Sequence, residues 1–125
     1  MKKTIHIGEA PKDPVPYTPA VEAGPYIFIS GQIAQITGTR TLRIENIVEE
    51  TTLVMENLGR ILEAAGLTYD HLVKCTVYTT KMQYYAEISR IYQTYFKGDV
   101  PAREMVGVKE LPRGVNLEIS GIAMR

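Results

Sequence analysis

Apolar positions recur along this chain with two periods, and each switch between them marks an element. Residues 3–7 alternate polar and apolar and predict a short strand. Residues 8–19 contain four prolines (Pro11, Pro14, Pro16 and Pro19), which exclude regular structure and predict a loop. After a Gly24-Pro25 turn, residues 26–34 are apolar at nearly every position, the pattern of a strand covered on both faces. Ser30 and Gly31 interrupt that run, and glycine inside a strand marks a bulge or a close backbone approach. Gly38 opens a turn, and residues 39–44 predict a short edge strand.

The period then becomes helical. Asn46 with Glu49 reads as a capping box, and Val54, Leu58, Ile61, Leu62 and Ala65 fall on one helical face. Gly66 stops this helix, with Leu67 folding back over its last turn. Residues 71–79 predict a strand with Val73, Cys75 and Val77 on one face, which makes Cys75 a small core residue rather than a nucleophile. Thr80 and Gln83 read as a second capping box. Tyr84, Ile88, Ile91, Tyr92 and Tyr95 then mark a second helix ended by Gly98 and Pro101. That aromatic stripe has the spacing of core rather than of a base-stacking platform. Met105, Val106, Val108 and Leu111 predict the next strand, and Leu111 to Gly114 a turn. Residues 115–124 predict a last strand with Leu117, Ile119 and Gly121 on one side and Asn116, Glu118, Ser120 and Ile122 on the other.

This order predicts an α+β fold, a six-stranded mixed sheet with two helices packed on one face. Six strands ~4.8 Å apart span ~25 Å, about the width that two helices of ~10 Å diameter cover. One face is then left over. Because residues 26–34 are apolar on both sides, the second face is expected to be buried by another copy of the chain, making a homo-oligomer with large apolar interfaces.

Composition narrows the partners. The chain has 125 residues, the size of one domain spanning 1–125. Lys plus Arg and Asp plus Glu are each 14, with no block of like charge, so the electrostatic footprint for nucleic acid or an anionic membrane is missing. Cys75 is the only cysteine, and His6 and His71 have no ligand-spaced neighbours, so no zinc or disulfide framework is expected. No apolar run of signal length follows Met1-Lys2-Lys3, and the expected setting is soluble and cytoplasmic.

Three residues carry candidate chemistry. Arg103 follows the stop at Pro101 and stands at the mouth of a strand. It is either a permanently charged fork for a carboxylate or a surface arginine paired with Glu104 or Asp99. Tyr17, between Pro16 and Thr18, either lines a pocket or plugs a core edge. Glu118 is a carboxylate within a central strand, a placement that needs a reason.

Taken with Ser30-Gly31-Gln32-Ile33, Glu63-Ala64-Ala65-Gly66, Lys74 to Thr80, Pro101-Ala102-Arg103 and Leu117-Glu118-Ile119, the chain resembles the YjgF/RidA family over essentially its whole length. The resemblance implies a chorismate-mutase-like homotrimer with clefts between subunits. It also implies hydrolysis of reactive 2-imino acids, or their enamine tautomers, to 2-keto acids and ammonia, with no metal or cofactor. By the same resemblance Arg103 grips the substrate carboxylate, Glu118 positions or deprotonates the attacking water, and Tyr17, Ser30 and Gly31 line the pocket. Three positions depart from the family pattern. Met105 stands where the deaminases commonly have cysteine, its backbone still able to meet substrate. Ser89 replaces an asparagine and is expected to reach the cleft only through water. Val15-Pro16-Tyr17-Thr18-Pro19 makes a stiffer loop than Gly-Pro-Tyr-Ser-Gln. Two other functions compete: a trimer that binds small carboxylates without turning them over, acting as regulator or chaperone, and RNA cleavage or translation inhibition. The latter lacks a basic stripe or a histidine pair.

Overall fold

A computed structural model describes residues 1–8 and 15–125. Its strands are β1 (Lys3–Ile5), β2 (Ala20–Ala23), β3 (Tyr26–Gln32), β4 (Leu72–Thr79), β5 (Ala102–Gly107) and β6 (Leu117–Met124). The helices are α1 (Ile47–Ala64) and α2 (Tyr85–Gln93). The strands form one mixed sheet in the order β1-β2-β3-β6-β4-β5, in which only the β4–β5 pair is parallel. This is the expected α+β architecture, and β6, with Glu118, lies at its centre. Much of the loop expected over residues 8–19 lies outside the described residues.

Short-range chemistry sets the limits of α1. Asn46 Oδ1 accepts from the backbone N–H groups of Val48 and Glu49, at 2.8 and 3.1 Å. At the other end Gly66, at φ +75°, lets its own N–H reach Glu63 O and the Leu67 N–H reach Leu62 O, closing the last turn. Val54, Leu58, Ile61 and Leu62 on α1 and Ile88 and Tyr92 on α2 then pack on Ile27, Ile29, Cys75, Val77, Leu117 and Ile119 of the sheet.

Several local expectations give way to tertiary pairing. The strand over 39–44 is only an isolated bridge, Gln35 to Leu42. The sixth strand is instead β2, held antiparallel to β3 with Val21 opposite Phe28. In β4 the register shifts between Leu72 and Lys74, which turns Val73 outward, and the buried set is Leu72, Cys75, Val77 and Thr79. The second helix has no side-chain cap. A 3₁₀ turn over Met82–Tyr84 leads into it, and Tyr84 is exposed rather than part of the core stripe.

The sheet face away from the helices keeps apolar side chains in contact with solvent. Phe28 is 45 % exposed, Tyr26, Val73, Val106 and Met124 are exposed as well, and Ile122 is half-buried. A strand apolar on both sides is thus covered on one side only within the chain.

Candidate functional site

The predicted site residues fall into two groups. The first lines a cleft of about 580 Å³ that includes Tyr17, Ser30, Gly31 and Glu118. Ser30 and Gly31 lie in the register shift of β3 between Ile29 and Gln32, so the bulge carries this backbone past the central strand. Ser30 fixes the approaching loop twice: its Oγ donates to Thr18 O at 2.6 Å, and its N–H donates to Pro19 O at 2.9 Å. Those two bonds place the exposed Tyr17 ring at the cleft rather than in a core edge. A Cβ on Gly31 would lie 2.7 Å from the Glu118 carboxyl carbon, so a side chain there could enter only by pushing that carboxylate aside. The half-buried Glu118 carboxyl is pushed above its ordinary 4.5 by burial.

Sequence reasoning missed Asn57, which organises the far wall. From α1 its Nδ2 donates to both Ile33 O and Gln35 O, at 2.9 and 2.8 Å, while Arg60 donates to its Oδ1 at 2.6 Å. The signal was a polar residue next to Leu58 on the buried side of α1, where an amide needs partners.

The second group surrounds Arg103 on the edge strand β5. Arg103 NH1 donates to Ser89 Oγ and NH2 to Tyr85 Oη, each at 3.2 Å. Its guanidinium carbon lies 5.5 Å from the Tyr85 ring centre and 5.1 Å from that of Tyr92. Ser89 thus reaches the arginine directly. Glu104 pairs instead with Lys74 at 3.2 Å, so it is not the partner of Arg103. Met105 is half-buried two residues on and packs against the core. Beneath Arg103, Cys75 is buried and burial pushes its thiol up, which suits a core residue.

The two groups do not meet in one chain. Arg103 is in register with Cys75, whose side chain faces the helices, whereas Glu118 is in register with Tyr78 and Val106 on the open face. Two strand spacings across and three residues along put their Cα atoms ~14 Å apart, with side chains on opposite faces. One small molecule cannot touch both within a single copy.

The profile of a family described as Endoribonuclease L-PSP matches residues 7–125. The chain belongs to this family, the YjgF/RidA proteins. It is 38 % identical to a mouse protein named 2-iminobutanoate/2-iminopropanoate deaminase, over 100 % of this chain and 93 % of that one. Among solved structures, Escherichia coli TdcF with bound serine matches with a TM-score of 0.89 at 34 % identity, covering 98 % of each chain. The Escherichia coli YjgF gene product matches equally well in fold, with a TM-score of 0.89 at 33 % identity and 98 % of each chain covered. Among the described residues, no helix of this family member is long and apolar enough to cross a membrane.

Proposed function

We propose that this protein hydrolyses 2-imino acids to 2-keto acids and ammonia, in clefts that form where copies of the chain meet in a homotrimer. The observation that carries the reading is Glu118: a half-buried carboxyl facing a cleft, raised in pKa, and without a hydrogen-bond donor among the described residues. Burial makes such a carboxylate a stronger proton acceptor than a solvated one, and its free lone pairs leave it able to take a proton from water. The substrate's iminium carbon is already electrophilic. Attack by water forms the C–O bond as Glu118 takes the water proton, and Glu118 returns that proton to the amino nitrogen. Collapse of the tetrahedral adduct, the hydroxyl proton passing back to Glu118 or solvent, forms the C=O bond and breaks the C–N bond to release ammonia and the keto acid. Arg103 of one copy would hold the carboxylate while Glu118 of the next faces the iminium carbon, with Tyr17, Ser30 and Gly31 shaping the cleft and the Met105 backbone beside it.

The assembly has its own support. The open face presents Phe28, Tyr26 and Met124 to solvent, and the two halves of the site lie on opposite faces of the sheet. The name of the mouse relative supports the reaction. The serine-bound TdcF structure supports a ligand carrying an α-carboxylate, and it equally favours a trimer that binds carboxylates without turnover.

The deciding experiment generates the imine with a threonine dehydratase or an amino-acid oxidase and follows keto-acid release. Acceleration by wild type, abolished in Arg103→Ala and Glu118→Ala, is the expected result. Keto-acid binding with no acceleration over solvent hydrolysis would leave the binding-only trimer. Arg103→Ala should lose about 2–5 kcal/mol of carboxylate interaction, the scale for truncating one side of a buried charge pair. Sedimentation of wild type should give three copies.

A further inference from the structure

Arginine is among the most rotamer-rich side chains, and on an edge strand nothing in its own backbone holds the guanidinium in one orientation. Arg103 is nevertheless held at both terminal nitrogens, by Ser89 Oγ on NH1 and Tyr85 Oη on NH2, with the Tyr85 and Tyr92 rings near its cationic plane. Ser89 is short and supplies a single contact, which leaves the group free to swing about that point. The second contact removes that freedom. We infer that Tyr85 is a positioning residue for Arg103, its hydroxyl fixing the plane of the guanidinium together with Ser89; this rests on the carboxylate-binding role proposed for Arg103.

The chemistry fits an orienting role. A guanidinium has five N–H donors, and the two hydroxyls take one each. Three remain, enough for a two-point grip on a carboxylate. Each hydroxyl accepts from Arg103, so its own proton is free to donate onward. Tyr85 is 50 % exposed and begins α2, so removing its hydroxyl leaves the core intact.

Tyr85→Phe keeps the ring and removes the hydroxyl, and Ser89→Ala removes the other contact. Side-chain ¹⁵N spectra of the ligand-free protein read the orientation directly. Wild type should give two resolved Arg103 Nη signals, because rotation about Nε–Cζ is hindered, and Tyr85→Phe alone should average them, as should the double variant. Calorimetry with 2-oxobutanoate should show affinity about 3- to 10-fold weaker in Tyr85→Phe, the range for one lost hydrogen bond. Averaged signals already in wild type would overturn the inference, as would Tyr85→Phe with unchanged spectra and unchanged affinity. Resolved signals in wild type, averaged in Tyr85→Phe, with no 2-oxobutanoate binding would instead overturn the proposed site and leave the positioning role standing.

Discussion

Two glutamates flank the start of the central strand, and their surroundings separate a carboxylate bound up in the fold from one left facing a cleft. Glu50, on α1, is 0 % exposed, and both its oxygens are occupied: Oε2 accepts from Asn116 N and Oε1 from Asn116 Nδ2, each at 2.8 Å. Glu118, two residues beyond Asn116, is half-buried beside Gly31 and accepts no hydrogen bond among the described residues. Burial pushes both carboxyls above 4.5, but at Glu50 the bonds from Asn116 pull part of the way back, whereas at Glu118 burial acts alone. A raised pKa by itself therefore does not mark a functional group. The distinction lies in whether the lone pairs are spent on the fold or left facing a cleft.

The contrast can be tested from both sides. Glu118→Gln should lower imine hydrolysis by about 10²- to 10⁴-fold, the usual contribution of a general base, with unfolding free energy no lower than in wild type. Retained turnover would remove Glu118 from the chemistry. Glu50→Ala should do the opposite. It strips two Asn116 donors of their acceptor, and urea titration should show a loss of about 3 kcal/mol, at ~1–3 kcal/mol per orphaned buried group. Loss of turnover at full stability would reverse the two roles.

Gly31→Ala sharpens the comparison by moving one carboxylate without deleting it. The new Cβ displaces Glu118, and kcat/KM should fall about tenfold, equivalent to ~1.4 kcal/mol, with Glu118 seen in a new rotamer by crystallography. The smallest effect is on pH dependence. A carboxyl whose folded pKa is raised contributes stability that is complete below 4.5 and is lost as pH rises through the folded value. Wild type should therefore lose stability relative to Glu118→Gln as pH climbs through that window, by parallel denaturant titrations. The acid limb of turnover should lie above pH 4.5 for the same reason. A stability difference that does not change with pH would mean that Glu118 is solvated like a surface carboxylate.

Much of this architecture was legible from neighbouring residues. Asn46 and Gly66 bound α1 because caps are closed by groups one to five positions away. The alternation of β6 put Leu117 and Ile119 inward and Glu118 outward, since side-chain direction in a strand follows a period of two. Pro101 marked the start of β5 two residues before Arg103, because proline fixes its own φ and restricts its predecessor.

What local pattern could not carry was set by partners distant in the chain. Residues 20–23 became a strand because β3 lies alongside them, while residues 39–44, no less extended in pattern, found only one bridge. Glu50 is buried because Asn116, 66 residues away, supplies its hydrogen bonds. The resemblance put Arg103 and Glu118 in a cleft between subunits, but only the register of β4 with β5 and β6 shows that within one chain they lie on opposite faces. Caps, stops and alternation arise from sterics and hydrogen bonds within a few residues, and so appear in the sequence. Strand neighbours, burial of a charge and the facing of two distant side chains arise only when the sheet assembles, because each depends on which backbone comes to lie beside which.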